Sequence, residues 1–360
     1  MGGTLGRPRR AAPTTNMLVN KVFRVALVVS VVVGNTLVLS RKPVQTTERA
    51  EGQDLGLQAI AENALAGREG AVVVLDPQTG RLLAVVNDDL AFKSAFPPGS
   101  ALKPFTALAA LRAGVLTKNT RIRCPGKFKR SDFVDACVHP PRLPPFNTAE
   151  AVAYSCNYFF ATTGEHLDKE TFANMLDDFG FGQKTGINID GEAAGVLTRD
   201  KWRVESALGE GPFLQVTPVQ MALAYATLFN GGSLLKPNYD GVRNVRAQLR
   251  IDDKERAVLL EGMRGAVSFG TAAKADLDSL PANIIGKTGT STQLVGFRSQ
   301  GWFAGIAFKP NTPPDPANAQ LVVVAFLNKA HGSDAAELTR PIFEKFANDS
   351  QATSVKNGKE

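Results

Sequence analysis

Apolar positions in this 360-residue chain recur with two different periods, and the changes of period divide it into blocks. Leu55 to Leu65 carries apolar residues at helical spacing, whereas Ala71–Asp76 and Arg81–Asn87 are apolar, β-branched runs. Pro77-Gln78-Thr79-Gly80 between those runs is a strong hairpin signal. From Ser100 to about Asn230 the texture is helical, in the segments Ser100–Ala113, Ala149–Glu165, Lys169–Asp178, Arg199–Leu208 and Pro218–Phe229. Thr217 ahead of Pro218 supplies an N-cap followed by an N1 proline. Asp252–Val267 predicts another helix, after which strands return at Ile284–Thr290, Trp302–Phe308 and Leu321–Leu327. A helix over Ala335–Phe346 closes the pattern, and the tail, residues 349–360, is expected to be disordered.

Strands at both ends of the chain with helices between them rule out a serial parallel α/β fold. The first hairpin needs partners for its edges, and only the late strands can supply them. The expected class is therefore α/β of the α+β kind: an antiparallel sheet flanked by the terminal helices, with an all-helical half, about residues 100–270, inserted. A site would lie in the cleft between the two. Hydrophobic content of 44% with 33 Gly and 21 Pro excludes collagen, coiled coil and whole-chain disorder.

The formal charge of +7 changes the picture only at the N-terminus. Residues 1–50 hold eight Lys/Arg against the single acid Glu48, and the rest of the chain carries 33 of each sign. A neutral body argues against a phosphate-binding surface, so no nucleic-acid partner is expected. Val25 to Ser40 is free of charge, preceded by Arg7, Arg9, Arg10, Lys21 and Arg24 and followed by Arg41 and Lys42. At ~1.5 Å per residue a helix over residues 21–40 just spans a bilayer core. The heavier positive flank keeps the basic arm, residues 1–20, cytoplasmic and the body extracytoplasmic, or periplasmic. The alternative is a cleaved signal peptide; either way the chain is exported.

Three cysteines, Cys124, Cys137 and Cys156, leave at least one thiol unpaired, and Cys124 and Cys137 could join across their loop in an oxidising compartment. A zinc reading with His139 as third ligand lacks a fourth, so no metal and no cofactor are proposed from the sequence.

Three short elements carry candidate chemistry. Ser100-Ala101-Leu102-Lys103, after Pro97-Pro98-Gly99, puts a serine at a helix start and a lysine one turn later on the same face. A serine hydroxyl is inert near pH 7 without a base, and a desolvated lysine close to another cation can be that base. Ser155-Cys156-Asn157 lies in an apolar helical segment, where a hydroxyl and a carboxamide two apart share a face only if the helix breaks. Lys287-Thr288-Gly289-Thr290 sits on a strand, where a cation, two hydroxyls and a glycine that admits ligand backbone would suit a peptide ending in carboxylate. Each lysine-bearing motif has a decoy: Ser233-Leu234-Leu235-Lys236 follows two glycines, and Lys184-Thr185-Gly186 follows a helix end.

The set, in this order, resembles the transpeptidase domain of penicillin-binding proteins. Gly70 to Gly80, Phe179 to Ile187, Leu208-Gly209-Glu210-Gly211 through Asn230-Gly231-Gly232, and Gly301-Trp302-Phe303 extend the likeness over residues 56–348. The resemblance implies a class B-like peptidoglycan D,D-transpeptidase. The linker, residues 41–55, leaves no room for a glycosyltransferase module or a large amino-terminal pedestal. It implies that Ser100 is acylated, Lys103 takes its proton, Ser155 relays a proton to the leaving amine and Asn157 orients Lys103 and the peptide. Lys287, Thr288 and Thr290 would bind the terminal carboxylate, with the backbone amides of Ser100 and Thr290 as oxyanion hole. Stem peptides, β-lactam antibiotics, the membrane and wall-synthesis proteins are the implied partners. Glu210 stands where the family's turn usually has Gln and adds an anion near the cleft rim. A D,D-carboxypeptidase, or a β-lactam sensor or non-catalytic scaffold, are the alternatives.

Overall fold

The computed structural model describes residues 52–130, 133–293 and 298–357. The expected basic arm, membrane segment and most of the linker lie outside these residues. Among the described residues no helix is long and apolar enough to cross a membrane.

Helix α1 (Leu55–Leu65) is capped by Asp54 and leads into the hairpin β1 (Gly70–Leu75) and β2 (Leu82–Val86), followed by the short α2 (Asp88–Phe92). A 3₁₀ turn, Gly99–Leu102, runs directly into α3 (Lys103–Arg112). Then come a hairpin of β3 (Lys127–Arg130) and β4 (Phe133–Ala136), and helices α4 (Thr148–Ala153), α5 (Asn157–Gly164) and α6 (Lys169–Asp178). The two-residue strands β5 (Val196–Leu197) and β6 (Leu214–Gln215) pair with each other ahead of α7 (Pro218–Phe229). Strands β7 (Ser233–Leu235) and β8 (Val245–Gln248) pair before α8 (Asp253–Ser268). Strands β9 (Asn283–Gln293), β10 (Arg298–Phe308) and β11 (Ala319–Asn328) and helix α9 (Gly332–Asn357) complete the chain.

The chain ends do make one sheet, in the order β2-β1-β11-β10-β9, antiparallel throughout, with β1 and β11 joining the two ends of the sequence. Side chains alternate across a strand, and here the two faces feed two cores. Val73, Trp302, Val324 and Phe326 pack toward the helical half, while Val72, Phe303, Val323 and Ala325 pack under α1 and α9 against Leu57, Leu65, Ile342 and Phe343. Burial on both faces explains why β1 reads as a continuous apolar run rather than an alternating one.

All twelve residues of α7 are buried. A helix apolar on every side belongs in a core, and Thr217 and Gln220 close its N-terminus with a reciprocal capping box. Three expectations need correction. The inserted half is not all-helical, since it holds three two-stranded sheets. Arg199–Leu208 forms two 3₁₀ turns, Arg199–Lys201 and Val204–Leu208, because Trp202 adopts an extended backbone that sets its ring against Phe172 and Phe213. Helix α9 runs past Asn348 to Asn357, where disorder was expected.

Candidate active site

The three motifs meet where the edge strand β9, the 3₁₀ turn and the α4–α5 junction converge. Gly99 adopts φ +52°, and a Cβ there would run into the Thr290 carbonyl. Backbone N–H and C=O of one residue point the same way in an antiparallel strand, so the polar groups of Thr290 face off the sheet edge toward the nucleophile turn. Trp302 Nε1 and Ser291 Oγ both donate to the Pro97 carbonyl, each at 3.0 Å. Tyr225 Oη donates to the Ala101 carbonyl at 2.6 Å, and Gly99 N–H to the Gly209 carbonyl at 3.0 Å. The segment from Pro97 to Ala101 is thus held from the sheet, from α7 and from the Gly209 turn.

The break required between Ser155 and Asn157 is present. Helix α4 stops at Ala153, Ser155 takes φ +54°, and α5 begins at Asn157. This kink directs both side chains toward the buried lysines. Lys103 is completely buried; its Nζ donates to the Ser155 carbonyl at 2.7 Å, to Ser155 Oγ at 3.2 Å and to Asn157 Oδ1, and lies 5.5 Å from the centre of the Phe160 ring. Lys287, also fully buried, donates to Ser155 Oγ and to the Thr288 carbonyl, both at 2.9 Å. One hydroxyl therefore bridges two lysine amines. Burial lowers Lys103 to about 8, against the opposing pull of Cys156, Cys137, Asp135 and Glu210. Lys287 falls well below the usual lysine range, first through burial and then through the Lys103 charge. Two ammonium ions on one oxygen repel, so one member of the pair is easily held as a free amine.

Ser100, Ser155, Asn157, Thr288 and Thr290 line a cavity of about 1480 Å³ together with Asp135, Glu210 and Thr271. Its size exceeds that of ordinary small-molecule pockets. Thr288 and Thr271 share a hydrogen bond between hydroxyls at 2.5 Å, and Thr290 Oγ1 accepts from Gly332 N–H at 3.0 Å. At Gly289 a Cβ would strike the Pro98 carbonyl, so this glycine lets the nucleophile turn approach β9. Burial pushes Glu210 up to about 8, against a hydrogen bond from the Thr292 backbone and the Lys103 charge.

Neither decoy contributes. Ser233 is buried in β7, donating to Gln248 Oε1 at 2.9 Å and accepting from Arg243 at 2.8 Å; Thr185 donates to Glu192 and Lys184 is exposed. The expectation that no E-x-x-x-N spacing of a class A β-lactamase's deacylating glutamate lies between the second and third motifs is corrected by Glu170 and Asn174. They are exposed, and both contact Arg199, at 3.3 and 2.8 Å.

Two further features were not legible in the sequence. Asp135 Oδ2 accepts from Asn157 Nδ2 at 2.5 Å, a contact that exists only because the β3–β4 hairpin docks on α5. The cysteines are free thiols, with Cys124 and Cys137 sulfurs 3.4 Å apart, and Cys156 joins them and His139 with all four ligand atoms within 4.8 Å of one another. Cys156 thus offers the fourth candidate ligand that the zinc reading lacked. His139 Nδ1 lies 2.9 Å from the Pro140 carbonyl, while its buried Nε2 has no hydrogen-bond partner among the described residues. A ring nitrogen bonded to a carbonyl with the other left free is the arrangement of a metal-binding imidazole. The Cys137 thiol is lowered from the usual thiol range by a hydrogen bond from Cys156, against the opposing effect of burial, and further by the Tyr158 backbone.

Residues 70–347 match the penicillin binding protein transpeptidase domain, and the chain belongs to that family. It is 27% identical over 379 residues to the peptidoglycan D,D-transpeptidase MrdA of Acinetobacter baumannii, covering 85% of this chain and 55% of that relative. The chain therefore spans about half the length of such curated relatives. Pseudomonas aeruginosa PBP2, solved in complex with WCK 5153, is 27% identical with a TM-score of 0.70, over 82% of this chain and 77% of that one. The apo transpeptidase domain of Burkholderia pseudomallei penicillin-binding protein 3, at 23% identity, shares the fold with a TM-score of 0.69 over 84% of this chain and 95% of that one.

Proposed function

We propose that the protein is a peptidoglycan D,D-transpeptidase working through an acyl-enzyme on Ser100. The observation that carries this reading is the Ser155 hydroxyl, 3.2 Å from Lys103 Nζ and 2.9 Å from Lys287 Nζ, beside a cavity that Ser100 lines. Ser100 Oγ attacks the carbonyl carbon between the two terminal D-alanines as its proton passes to the free amine of Lys103. The tetrahedral oxyanion is held by the backbone N–H groups of Ser100 and Thr290, a donor pair of which each member is typically worth about 3 kcal/mol. Collapse breaks the C–N bond, and the leaving amine takes its proton from Lys103 through Ser155. Lys287, Thr288 and Thr290 bind the terminal carboxylate. An amine of a second stem then attacks the ester, its proton returning by the same path, and Ser100 is restored. A β-lactam acylates Ser100 in the same way. The similarity to MrdA and the charge pattern of residues 1–50 support a membrane-anchored enzyme with its body outside the cytoplasm.

Incubation with a stem pentapeptide and an acceptor amine tests the reading: a cross-linked product with release of D-Ala is expected. Hydrolysis alone would make it a carboxypeptidase, and no reaction with either acceptor would leave a scaffold or sensor.

We also propose that Cys124, Cys137, His139 and Cys156 hold a zinc ion, which when bound ties the β3–β4 hairpin to the Ser155–Asn157 kink. Three thiolates and an imidazole form a closed structural set with no open position. One zinc per purified chain is expected by elemental analysis; a metal-free chain would refute the assignment.

A further inference from the structure

Asn157 has a carboxamide whose two ends are opposite in character, one accepting and one donating. Only one orientation serves the site, because Lys103 offers hydrogens and needs the oxygen. The carboxamide oxygen does face Lys103 Nζ, and its nitrogen donates to Asp135 Oδ2 at 2.5 Å. The amide therefore lies between a lysine amine and a carboxylate. Turned by half a rotation it would set N–H against N–H on one side and oxygen against oxygen on the other.

The carboxylate is itself fixed. Its Oδ1 accepts from the Ala136 backbone N–H at 2.7 Å. Across the hairpin Asp135 pairs with Phe128, whose ring packs edge-on to Tyr158 of α5 with centroids 5.3 Å apart. Next along β3, Arg130 lies over the same Tyr158 ring at 5.1 Å and pairs with Glu165 at 2.7 Å. The hairpin is thus clamped to the helix that Asn157 begins, and Asp135 is held at its first turn. A carboxylate at a helix N-terminus is also favourably placed in the helix field.

We propose that Asp135 is a positioning residue for acylation: its carboxylate locks the Asn157 carboxamide with the oxygen toward Lys103 and so keeps that amine aimed at the nucleophile. The proposal rests on the acyl-serine reading above. It assigns Asp135 no contact with the reacting atoms and no proton transfer, and acts through one hydrogen bond.

The test is acylation by a fluorescent penicillin, with the limiting rate and the concentration for half that rate measured separately. Asp135→Ala should lower the limiting rate by about tenfold to 100-fold, the order of one charge-assisted hydrogen bond, with little change in the half-saturating concentration. Asp135→Asn keeps an acceptor for Asn157 Nδ2 and should restore most of the rate; it also serves if the alanine variant folds poorly. In an Asn157→Ala background, Asp135→Ala should cost nothing further. An equal additional loss in that background would mean that Asp135 acts elsewhere and would overturn the proposal, as would an unchanged rate in Asp135→Ala alone. Absence of labelling in the unaltered protein would instead strike the acyl-serine reading itself.

Discussion

Ser100-Ala101-Leu102-Lys103 and Ser233-Leu234-Leu235-Lys236 have the same spacing in sequence and opposite fates in space. The first starts as a 3₁₀ turn and continues as a helix, which carries the lysine into a fully buried site. The second opens on a strand, where side chains three apart leave on opposite faces, and its serine is occupied by Gln248 and Arg243. Lys184 and Lys287 repeat the contrast: one is exposed on a turn, the other sealed beneath an edge strand. Chemistry comes from a lysine that is desolvated and faced by another cation, and a spacing pattern alone does not supply that.

The sharpest way to break the contrast is to remove each serine in turn. Ser100→Ala should abolish covalent labelling by a fluorescent penicillin, a loss on the order of 1,000-fold or more, while Ser233→Ala should label like the unaltered protein. Labelling that survives Ser100→Ala and vanishes in Ser233→Ala would reverse the assignment. Next in size, Lys287→Ala should slow acylation by roughly 100-fold, because it removes a hydrogen-bond donor to Ser155 and, in the proposed mechanism, to the substrate carboxylate. Lys184→Ala should change the rate by less than about twofold, as expected of an exposed side chain.

A smaller effect sharpens the electrostatic half of the comparison. Lys103 accepts the Ser100 proton only as a free amine, and burial lowers it to about 8. Below that pH the ammonium predominates and acylation is slow; above it the free amine predominates. The limiting acylation rate should therefore rise about tenfold per pH unit below 8 and level off above it. Stopped-flow measurement across that range checks the sign, and a rate that falls with rising pH would exclude Lys103 as the base.

What the sequence shows and what it hides divides along the same line. Helix α1, the β1–β2 hairpin, α7 and the late strands follow from local period, turn residues and caps, and could be read directly. The requirement for a kink at Ser155–Asn157 could also be read, since a hydroxyl and a carboxamide two apart cannot share a helix face. The β3–β4 hairpin could not: Lys-Phe-Lys-Arg has no apolar run, and among the described residues its docking on α5 uses the ring of Phe128, Arg130 and the Asp135 carboxylate. Asp135 and the fourth candidate metal ligand, Cys156, become visible only when that hairpin meets α5. Gly289 could be recognised as special, but its close approach to Pro98 could not.

The central proposal is that Ser100 forms an ester that hydrolyses slowly. Glu170 sits on the surface beside Arg199, and burial pushes Glu210 up to about 8, which weakens its tendency to act as a base near pH 7. The direct measurement is the intact mass of the protein, followed by peptide mapping, after penicillin is added and then removed. The account predicts one adduct, on Ser100, that persists for minutes or longer. An adduct on another residue, or one lost within seconds with repeated turnover of antibiotic, would contradict it.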